Sequence, residues 1–120
     1  MKILVVDDSK AMRMIVMRTL RQAGYEDHEL LQAENGVEGL SVVDSETPGL
    51  VLSDWNMPEM NGLEFLKTLR QRGSDVPFGF VTSEGTPAMR EQAADAGAMF
   101  LIAKPFTADT FAAQLGDVVT

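Results

Sequence analysis

The sequence has no cysteine and only one histidine in 120 residues. Without cysteine, disulfide bonds, thiolate catalysis and cysteine-ligated zinc sites are excluded, and the lone His28 excludes a multi-histidine metal site. No apolar run approaches the ~20 residues of a membrane span, and the apolar stretch near the N-terminus is too short for a signal peptide. We therefore expect a cytoplasmic protein that does not associate with membranes.

Basic residues are also scarce. Ten Lys and Arg residues stand against 18 Asp and Glu residues, which gives a formal net charge of −8 at pH 7. Proteins that bind nucleic acid or anionic membranes neutralise phosphate groups with Lys and Arg, so direct binding to either is not expected. The length, and a hydrophobic content of 45%, are typical of one soluble globular domain. We predict a single domain over residues 1–120.

Short apolar runs alternate with segments of helical periodicity, and no linker or repeat interrupts them. The predicted strands are residues 3–6, 29–33, 50–53, 78–81 and 99–102. The first three predicted helices begin after Ser9, near Val37 and at Leu63. The last two predicted helices span residues 89–96 and 106–119. Strands separated by helices predict an α/β domain with a parallel sheet, and the lack of polar alternation in the strands predicts helices on both faces.

Polar residues follow four of these strands at the point where each strand ends. Asp7 and Asp8 follow the first strand, Asp54 the third, Thr82 the fourth, and Lys104 comes just after the fifth. Ligands of open parallel sheets bind beyond the carboxyl ends of the strands. Each residue alone has an ordinary explanation, such as a helix cap for the Asp pair. Their coincidence at successive strand ends favours one functional site.

Three adjacent carboxylates repel one another unless a cation offsets their charge. A set of oxygen ligands without nitrogen or sulfur favours Mg²⁺, with Mn²⁺ as an alternative. Mg²⁺ needs only one or two carboxylates beside water and phosphate oxygens, so a third carboxylate is free to act as a nucleophile. An aspartate that attacks phosphorus forms an acyl phosphate, whose oxygens a metal ion, a lysine and a hydroxyl would stabilise.

Five segments then carry a resemblance to a known family. They are ILVVDDS (3–9), AENG (33–36), LSDWNMPEMNGLEFLKTLR (52–70), VTSE (81–84) and AKPF (103–106). The chain resembles the receiver domains of bacterial two-component response regulators, most closely the CheY-like chemotaxis type, over essentially its whole length. The resemblance implies a flavodoxin-like, doubly wound (βα)5 fold with strand order 2-1-3-4-5, for which chemotaxis receivers are a standard example.

The resemblance also implies a role for each site residue. Asp54 corresponds to the phosphoacceptor. Asp7 and Asp8 correspond to the acidic pair that holds Mg²⁺, with Asp8 the more direct ligand, and Asn56 to a further ligand through its backbone carbonyl. A sensor histidine kinase or a phosphotransfer protein would donate the phosphoryl group. The chain would be a signalling switch that assists its own phosphorylation and dephosphorylation, and not a turnover enzyme.

Transmission of the signal is likewise implied by the resemblance. Thr82 corresponds to the hydroxyl that moves toward the phosphoryl group, and Lys104, followed by a cis peptide bond to Pro105, to the lysine that pairs with it. The surface of helix 4, strand 5 and helix 5 would then bind an unknown downstream protein. Asn56 and Glu84 occupy positions that tune dephosphorylation in the family.

Several residues depart from the family pattern. Leu101 stands where an aromatic switch residue is usual, and the nearest aromatic is Phe100. Ser83 replaces a small alanine. Gly79 lies inside the fourth predicted strand, where we expect it to make room for a bulky neighbour. Trp55 is predicted to be partly exposed.

Other functions were weighed on the same residues. A flavodoxin-type FMN carrier would need a hydroxyl- and glycine-rich phosphate loop after the first strand, where Asp7 and Asp8 would repel the flavin phosphate. A haloacid-dehalogenase-like phosphatase would place its nucleophile there in a DxD pattern, whereas this chain has DD. Within the receiver family, a phosphate sink and a module of a larger regulator both stay open.

Overall fold

The computed structural model describes residues 1–116, 118 and 119, in which five strands alternate with five α-helices, the first of which is followed by a π-helical segment (Arg21–Tyr25). The strands are β1 (Lys2–Val6), β2 (Glu29–Ala33), β3 (Leu50–Ser53), β4 (Phe78–Thr82) and β5 (Phe100–Ala103). The helices are α1 (Lys10–Leu20), α2 (Gly36–Glu46), α3 (Gly62–Gln71), α4 (Pro87–Asp95) and α5 (Ala108–Leu115). The sheet is parallel and has the order β2-β1-β3-β4-β5, which confirms the predicted flavodoxin-like α/β fold.

Helices cover both faces of the sheet. On one face α2, α3 and α4 bury apolar side chains against the strands, with Phe65, Phe78 and Phe80 at the centre. On the other face α1 and α5 do the same, and Leu20 and Phe111 are fully buried there. Burial of both faces is why the inner strands β1, β3 and β4 are nearly continuous apolar runs, whereas the edge strand β2 keeps exposed Glu29 and Gln32.

Polar caps decide where the helices begin. Asn61 caps α3 in a reciprocal arrangement with Glu64, and Thr86 caps α4, whose first residue is Pro87. Because proline favours the first helical turn, α4 begins two residues before the predicted start. Thr107 caps α5. None of the helices in the described ranges is both long and apolar enough to cross a lipid bilayer.

The ends of the last two elements differ from the prediction. Strand β5 begins at Phe100 instead of residue 99, because Met99 is apolar but 56% exposed and precedes the buried run. Helix α5 is shorter than the predicted range 106–119, since Thr107 caps its start and Gly116, a poor helix former, follows its last residue. Residue 117 of that predicted range lies outside the described residues.

Gly79 makes space for an aromatic ring on the neighbouring strand. It is paired with Phe100, and a Cβ atom at Gly79 would overlap the Phe100 ring. The expectation that Gly79 accommodates a bulky neighbour is therefore confirmed. Phe100 packs toward the α1 and α5 face, whereas Leu101 packs on the opposite face.

We predict that Gly79→Ala lowers the free energy of unfolding by about 1–3 kcal/mol, the usual cost of overpacking. The Phe100 ring must move to admit the new methyl group. Urea unfolding should show that the cost almost disappears in a Phe100→Ala background. An equal cost in both backgrounds would contradict the proposed overlap, because independent sites are additive.

Candidate functional site

The sheet register brings three carboxylates together at one edge. Asp7 and Asp8 follow β1 and Asp54 follows β3, and these two strands are neighbours. The backbone N–H of Asp54 donates to the carbonyl of Val6 at 2.8 Å, which extends the pairing to the strand ends. As a result, carboxylate oxygens of the three aspartates lie within 4.8 Å of one another. Asp7 is buried, Asp54 is half-buried and Asp8 is exposed.

Lys104 reaches this acidic cluster from the end of β5. Its Nζ lies 3.4 Å from Asp7 Oδ2 and 3.5 Å from Asp54 Oδ2. Its backbone N–H donates to the Thr82 carbonyl at 2.8 Å, and its peptide bond to Pro105 is cis, as the resemblance implies. The lysine side chain is only 16% exposed, so solvent screens these ion pairs less than it would at the open surface.

Thr82 and Asn56 lie beside the cluster without joining it. Thr82 is fully buried, and its Oγ1 accepts a hydrogen bond from the Glu84 N–H at 3.5 Å. Among the described residues, this hydroxyl forms no hydrogen bond with Asp54 or Lys104. Asn56 is an exposed residue of the loop that follows Asp54. The structure therefore assembles the three acids and the lysine, and leaves the Thr82 hydroxyl turned to its own loop.

Backbone groups orient the Asp54 carboxylate. The Trp55 N–H donates to Asp54 Oδ1 at 2.7 Å, while Oδ2 faces Lys104. Helix α3 starts directly against this residue: a Cβ atom at Gly62 would collide with the Asp54 carbonyl oxygen. Gly62 thus allows the close approach of the helix start and the site.

The prediction for Trp55 was wrong, because its ring is only 9% exposed. The ring packs on Phe80 with 4.7 Å between the ring centroids. Trp55 follows a charged residue in a loop, which suggested exposure, but the apolar face of β4 lies next to it. Since the Trp55 backbone N–H is bonded to the Asp54 carboxylate, we expect the fluorescence of this residue to respond to changes at the site.

Burial raises the pKa of Asp7 above its ordinary value, and the charge of Asp54 raises it further. A hydrogen bond from the Ser9 N–H to Asp7 Oδ1, 2.9 Å long, and the charge of Lys104 oppose the increase. The ionised form of Asp7 is therefore costly in the protein as it stands. One ammonium group does not balance three carboxylates, so a bound cation would relieve this cost.

The donor set fits a hard divalent cation. All three side chains offer oxygen atoms, which Mg²⁺, Ca²⁺ and Mn²⁺ prefer. Asp8 is exposed and its carboxylate forms no hydrogen bond within the described part of the chain, so an incoming cation need not displace a protein donor. The acidic cluster therefore suits divalent metal binding.

The sequence interpretation missed Arg13 as a neighbour of the site. This arginine of α1 is 6% exposed, and its Nη1 donates to the Asp7 carbonyl oxygen at 2.6 Å. Its signal in the sequence was a charged residue on the same helical face as Val16, Met17 and Leu20, which are buried. A charge on an apolar helix face has to meet a polar partner in the fold.

Comparison with known proteins assigns the family. The sequence profile of the response regulator receiver domain matches residues 3–115. The chain belongs to this family. A chemotaxis protein CheY homolog from Campylobacter jejuni is 43% identical over 122 aligned positions, which cover 99% of this chain and 92% of that protein. The chemotaxis protein CheY1 of Helicobacter pylori is 47% identical over 110 positions, which cover 89% and 87%.

A solved structure agrees with this assignment. The chemotaxis response regulator CheY4 of Vibrio cholerae superposes with a TM-score of 0.84 at 34% sequence identity, over 98% of both chains. This receiver domain is therefore a phosphorylation-activated response regulator of the two-component type, similar to chemotaxis regulators. Its activity is that of a signalling switch and not of a classical enzyme.

We predict that Asp7→Asn raises the melting temperature of the metal-free receiver domain at neutral pH. The pKa of Asp7 is higher in the folded than in the unfolded state, so its stabilising contribution exists below the unfolded-state pKa. That contribution is lost as the pH rises through the folded-state pKa. The amide avoids this loss, and calorimetry should show that the difference closes below the ordinary pKa of aspartate.

The exposed Asp75, in the loop before β4, provides a control of equal charge change. Asp75→Asn should leave the melting temperature at neutral pH close to that of the wild type. A wild-type protein that is as stable as Asp7→Asn at neutral pH, without metal, would contradict the prediction.

Proposed function

We propose that Asp54 accepts the phosphoryl group, and that Mg²⁺ is held by Asp7, Asp8, Asp54 and the backbone carbonyl of Asn56. Mn²⁺ would serve as a substitute. The observation that supports this most is the position of Asp54 Oδ2, which lies 3.5 Å from Lys104 Nζ beside two further carboxylates. A nucleophile with a cation site on one side and an ammonium on the other suits phosphoryl transfer.

The reaction proposed for Asp54 is a direct transfer. A carboxylate oxygen attacks the phosphorus of a phosphohistidine, the P–N bond breaks, and the imidazole leaves with the bond electrons. When bound, Mg²⁺ supplies positive charge beside the phosphoryl oxygens. Lys104 would exchange its contact with the Asp54 carboxylate for one with a phosphoryl oxygen. Water later attacks the phosphorus and restores the carboxylate and inorganic phosphate.

Thr82 and Lys104 would convert this local charge into a shape change. The Thr82 hydroxyl faces its own loop in the structure, so it is available to turn and donate to a phosphoryl oxygen. The backbone bond between Lys104 and Thr82 couples the ends of β5 and β4. The phosphoryl group would then favour a pre-existing alternative arrangement of α4, β5 and α5.

Leu101 requires a different route of transmission from the usual aromatic switch. It is 7% exposed, and its carbonyl oxygen accepts a bond from Arg90 Nη1 at 3.0 Å. Arg90 Nε also donates to the Gly85 carbonyl at 3.2 Å, in the loop after Thr82. This arginine links that loop to β5. We therefore propose that loop movement reaches β5 through the bonds of Arg90 to these two backbone carbonyls.

The proposed partners follow from the proposed chemistry. A sensor histidine kinase or a phosphotransfer protein would donate the phosphoryl group, and a downstream protein would bind the surface of α4, β5 and α5. Exposed Asn56 and Glu84 stand near the approach to the site and would tune the attack of water. We further propose that residues 1–120 act as one receiver domain in the cytoplasm.

We predict that acetyl phosphate adds one phosphoryl group to the wild-type chain when Mg²⁺ is present and none to Asp54→Asn. The amide cannot form the acyl phosphate. Intact-protein mass spectrometry measures the adduct, and chelation of Mg²⁺ should strongly reduce it. Asp44→Asn, at an exposed position of α2, is the matched control and should be modified normally. An adduct that survives Asp54→Asn, or no adduct in the wild type, would refute the assignment.

We predict that Thr82→Ala still accepts the phosphoryl group but does not transmit it. Without the hydroxyl, nothing at this position donates to the phosphoryl oxygens. NMR spectra of the wild type should show phosphorylation-dependent shifts in α4, β5 and α5, which Thr82→Ala loses and Thr82→Ser retains. A Thr82→Ala spectrum that responds like that of the wild type would count against the switch role.

A further inference from the structure

Arg13 is a buried cation that has no anionic partner among the described residues. It lies on α1 and is 6% exposed, yet its guanidinium forms no ion pair with a carboxylate in the described ranges. Burial of a charged group is costly unless hydrogen bonds compensate it. An apolar residue would be buried at this position at a lower free-energy cost. We therefore expect the guanidinium of Arg13 to serve a specific polar interaction.

The two hydrogen bonds of Arg13 indicate this role. Its Nε donates to Gln32 Oε1 on β2 at 2.9 Å, which fixes the plane of the guanidinium. Its Nη1 donates to the carbonyl oxygen of Asp7 at 2.6 Å. That carbonyl belongs to the peptide group between Asp7 and Asp8. Arg13 therefore holds the link between two of the carboxylates in the acidic cluster.

Asp7 is fixed at several points, whereas Asp8 is not. The Asp7 N–H donates to the Ala33 carbonyl at 3.1 Å, and its carboxylate is bonded by the Ser9 N–H and faces Lys104. Asp8 is exposed, and no hydrogen bond of the described residues holds its carboxylate. The direction of the Asp8 side chain therefore depends on the backbone that carries it, and Arg13 contacts the peptide group directly before Asp8.

We propose that Arg13 is a positioning residue of the cation site. It orients the Asp7–Asp8 peptide so that the Asp8 carboxylate points into the acidic cluster before a cation arrives. This inference rests on the proposed divalent cation site. Groups that hydrogen-bond to metal ligands and orient them, without contacting the metal, typically contribute about 10–100-fold to metal affinity.

The geometry and the charge of the Arg13 side chain affect cation affinity separately, and substitutions distinguish the two effects. Arginine has donors in a rigid planar fork, which bridge the Asp7 carbonyl and Gln32 together, whereas lysine has one compact ammonium group. Arg13→Lys keeps the charge and loses the bridge, and Arg13→Met loses both. Arg18→Met, at an exposed position of the same helix, changes the net charge equally without touching the site.

Isothermal titration of the metal-free full chain with Mg²⁺ alone tests the proposal. We expect the Kd to rise about tenfold in Arg13→Met, to rise also in Arg13→Lys, and to be unchanged in Arg18→Met. NMR spectra without metal should show displaced amide signals of Asp8 and Ser9 in both Arg13 variants. Circular dichroism establishes that each variant is folded at the titration temperature.

A folded Arg13→Met whose Kd equals that of Arg18→Met overturns the proposal. A wild-type Kd in Arg13→Lys also overturns it, because cation affinity would then not depend on the planar bridge between Gln32 and the Asp7 carbonyl. Should Arg13→Met not fold, Gln32→Ala decides the matter: Gln32 is exposed, and its loss removes the bond that fixes the plane of the guanidinium. A raised Kd in Gln32→Ala supports the proposal and an unchanged Kd overturns it. A wild-type chain that binds no Mg²⁺ would instead refute the proposed cation site itself.

Discussion

Mutual repulsion among Asp7, Asp8 and Asp54 is the constraint on which the rest of the site depends. Their carboxylate oxygens lie within 4.8 Å of one another, and one of the three side chains is buried. Lys104 offsets part of this charge. The remaining negative charge suits the binding of a divalent cation. Burial raises the pKa of Asp7 in the folded protein, and repulsion by Asp54 adds to that increase.

Holding like charges together requires rigid support, and the structure provides it mostly from the backbone. N–H groups of Ser9 and Trp55 bond to the carboxylates of Asp7 and Asp54, and Gly62 lets α3 begin against the Asp54 carbonyl. Within the described part of the chain, Arg13 supplies the one side-chain hydrogen bond to the peptide between the acidic pair. Because the site is preorganised in this way, the free-energy cost of bringing the charges together is incurred during folding, before any ligand binds.

Strand β5 departs from the family pattern at the position of the usual aromatic residue. Leu101 fills the position of the usual aromatic, while the aromatic ring of Phe100 lies on the other face of the sheet over Gly79. Because side chains alternate along a strand, a shift of one residue moves an aromatic to the opposite face. Arg90 contacts both Gly85 and Leu101 through their carbonyls, and so offers a mechanical link where the aromatic is absent.

Strong, local signals could be interpreted correctly from the sequence. Strand β3 was predicted with its observed ends, since its apolar run follows Pro48 and Gly49 and stops before Asp54. Helix limits were less predictable: the predicted fifth helix, 106–119, exceeds the observed Ala108–Leu115. Its cap, Thr107, acts through a hydrogen bond that periodicity does not reveal. Trp55 was misjudged for a similar reason, because the neighbour that buries it, Phe80, is distant in sequence.

The sequence by itself determined which chemical groups follow each strand and, through the alternation of strands and helices, that they meet at one edge of a parallel sheet. It also determined the family. Only the tertiary structure decided the distances and hydrogen bonds between these groups. It pairs Lys104 with Asp7 and Asp54, turns the Thr82 hydroxyl to its own loop, and buries Arg13 behind the acidic pair. Hydrogen bonds and burial depend on distances of a few tenths of an ångström between distant segments, and no local pattern encodes them.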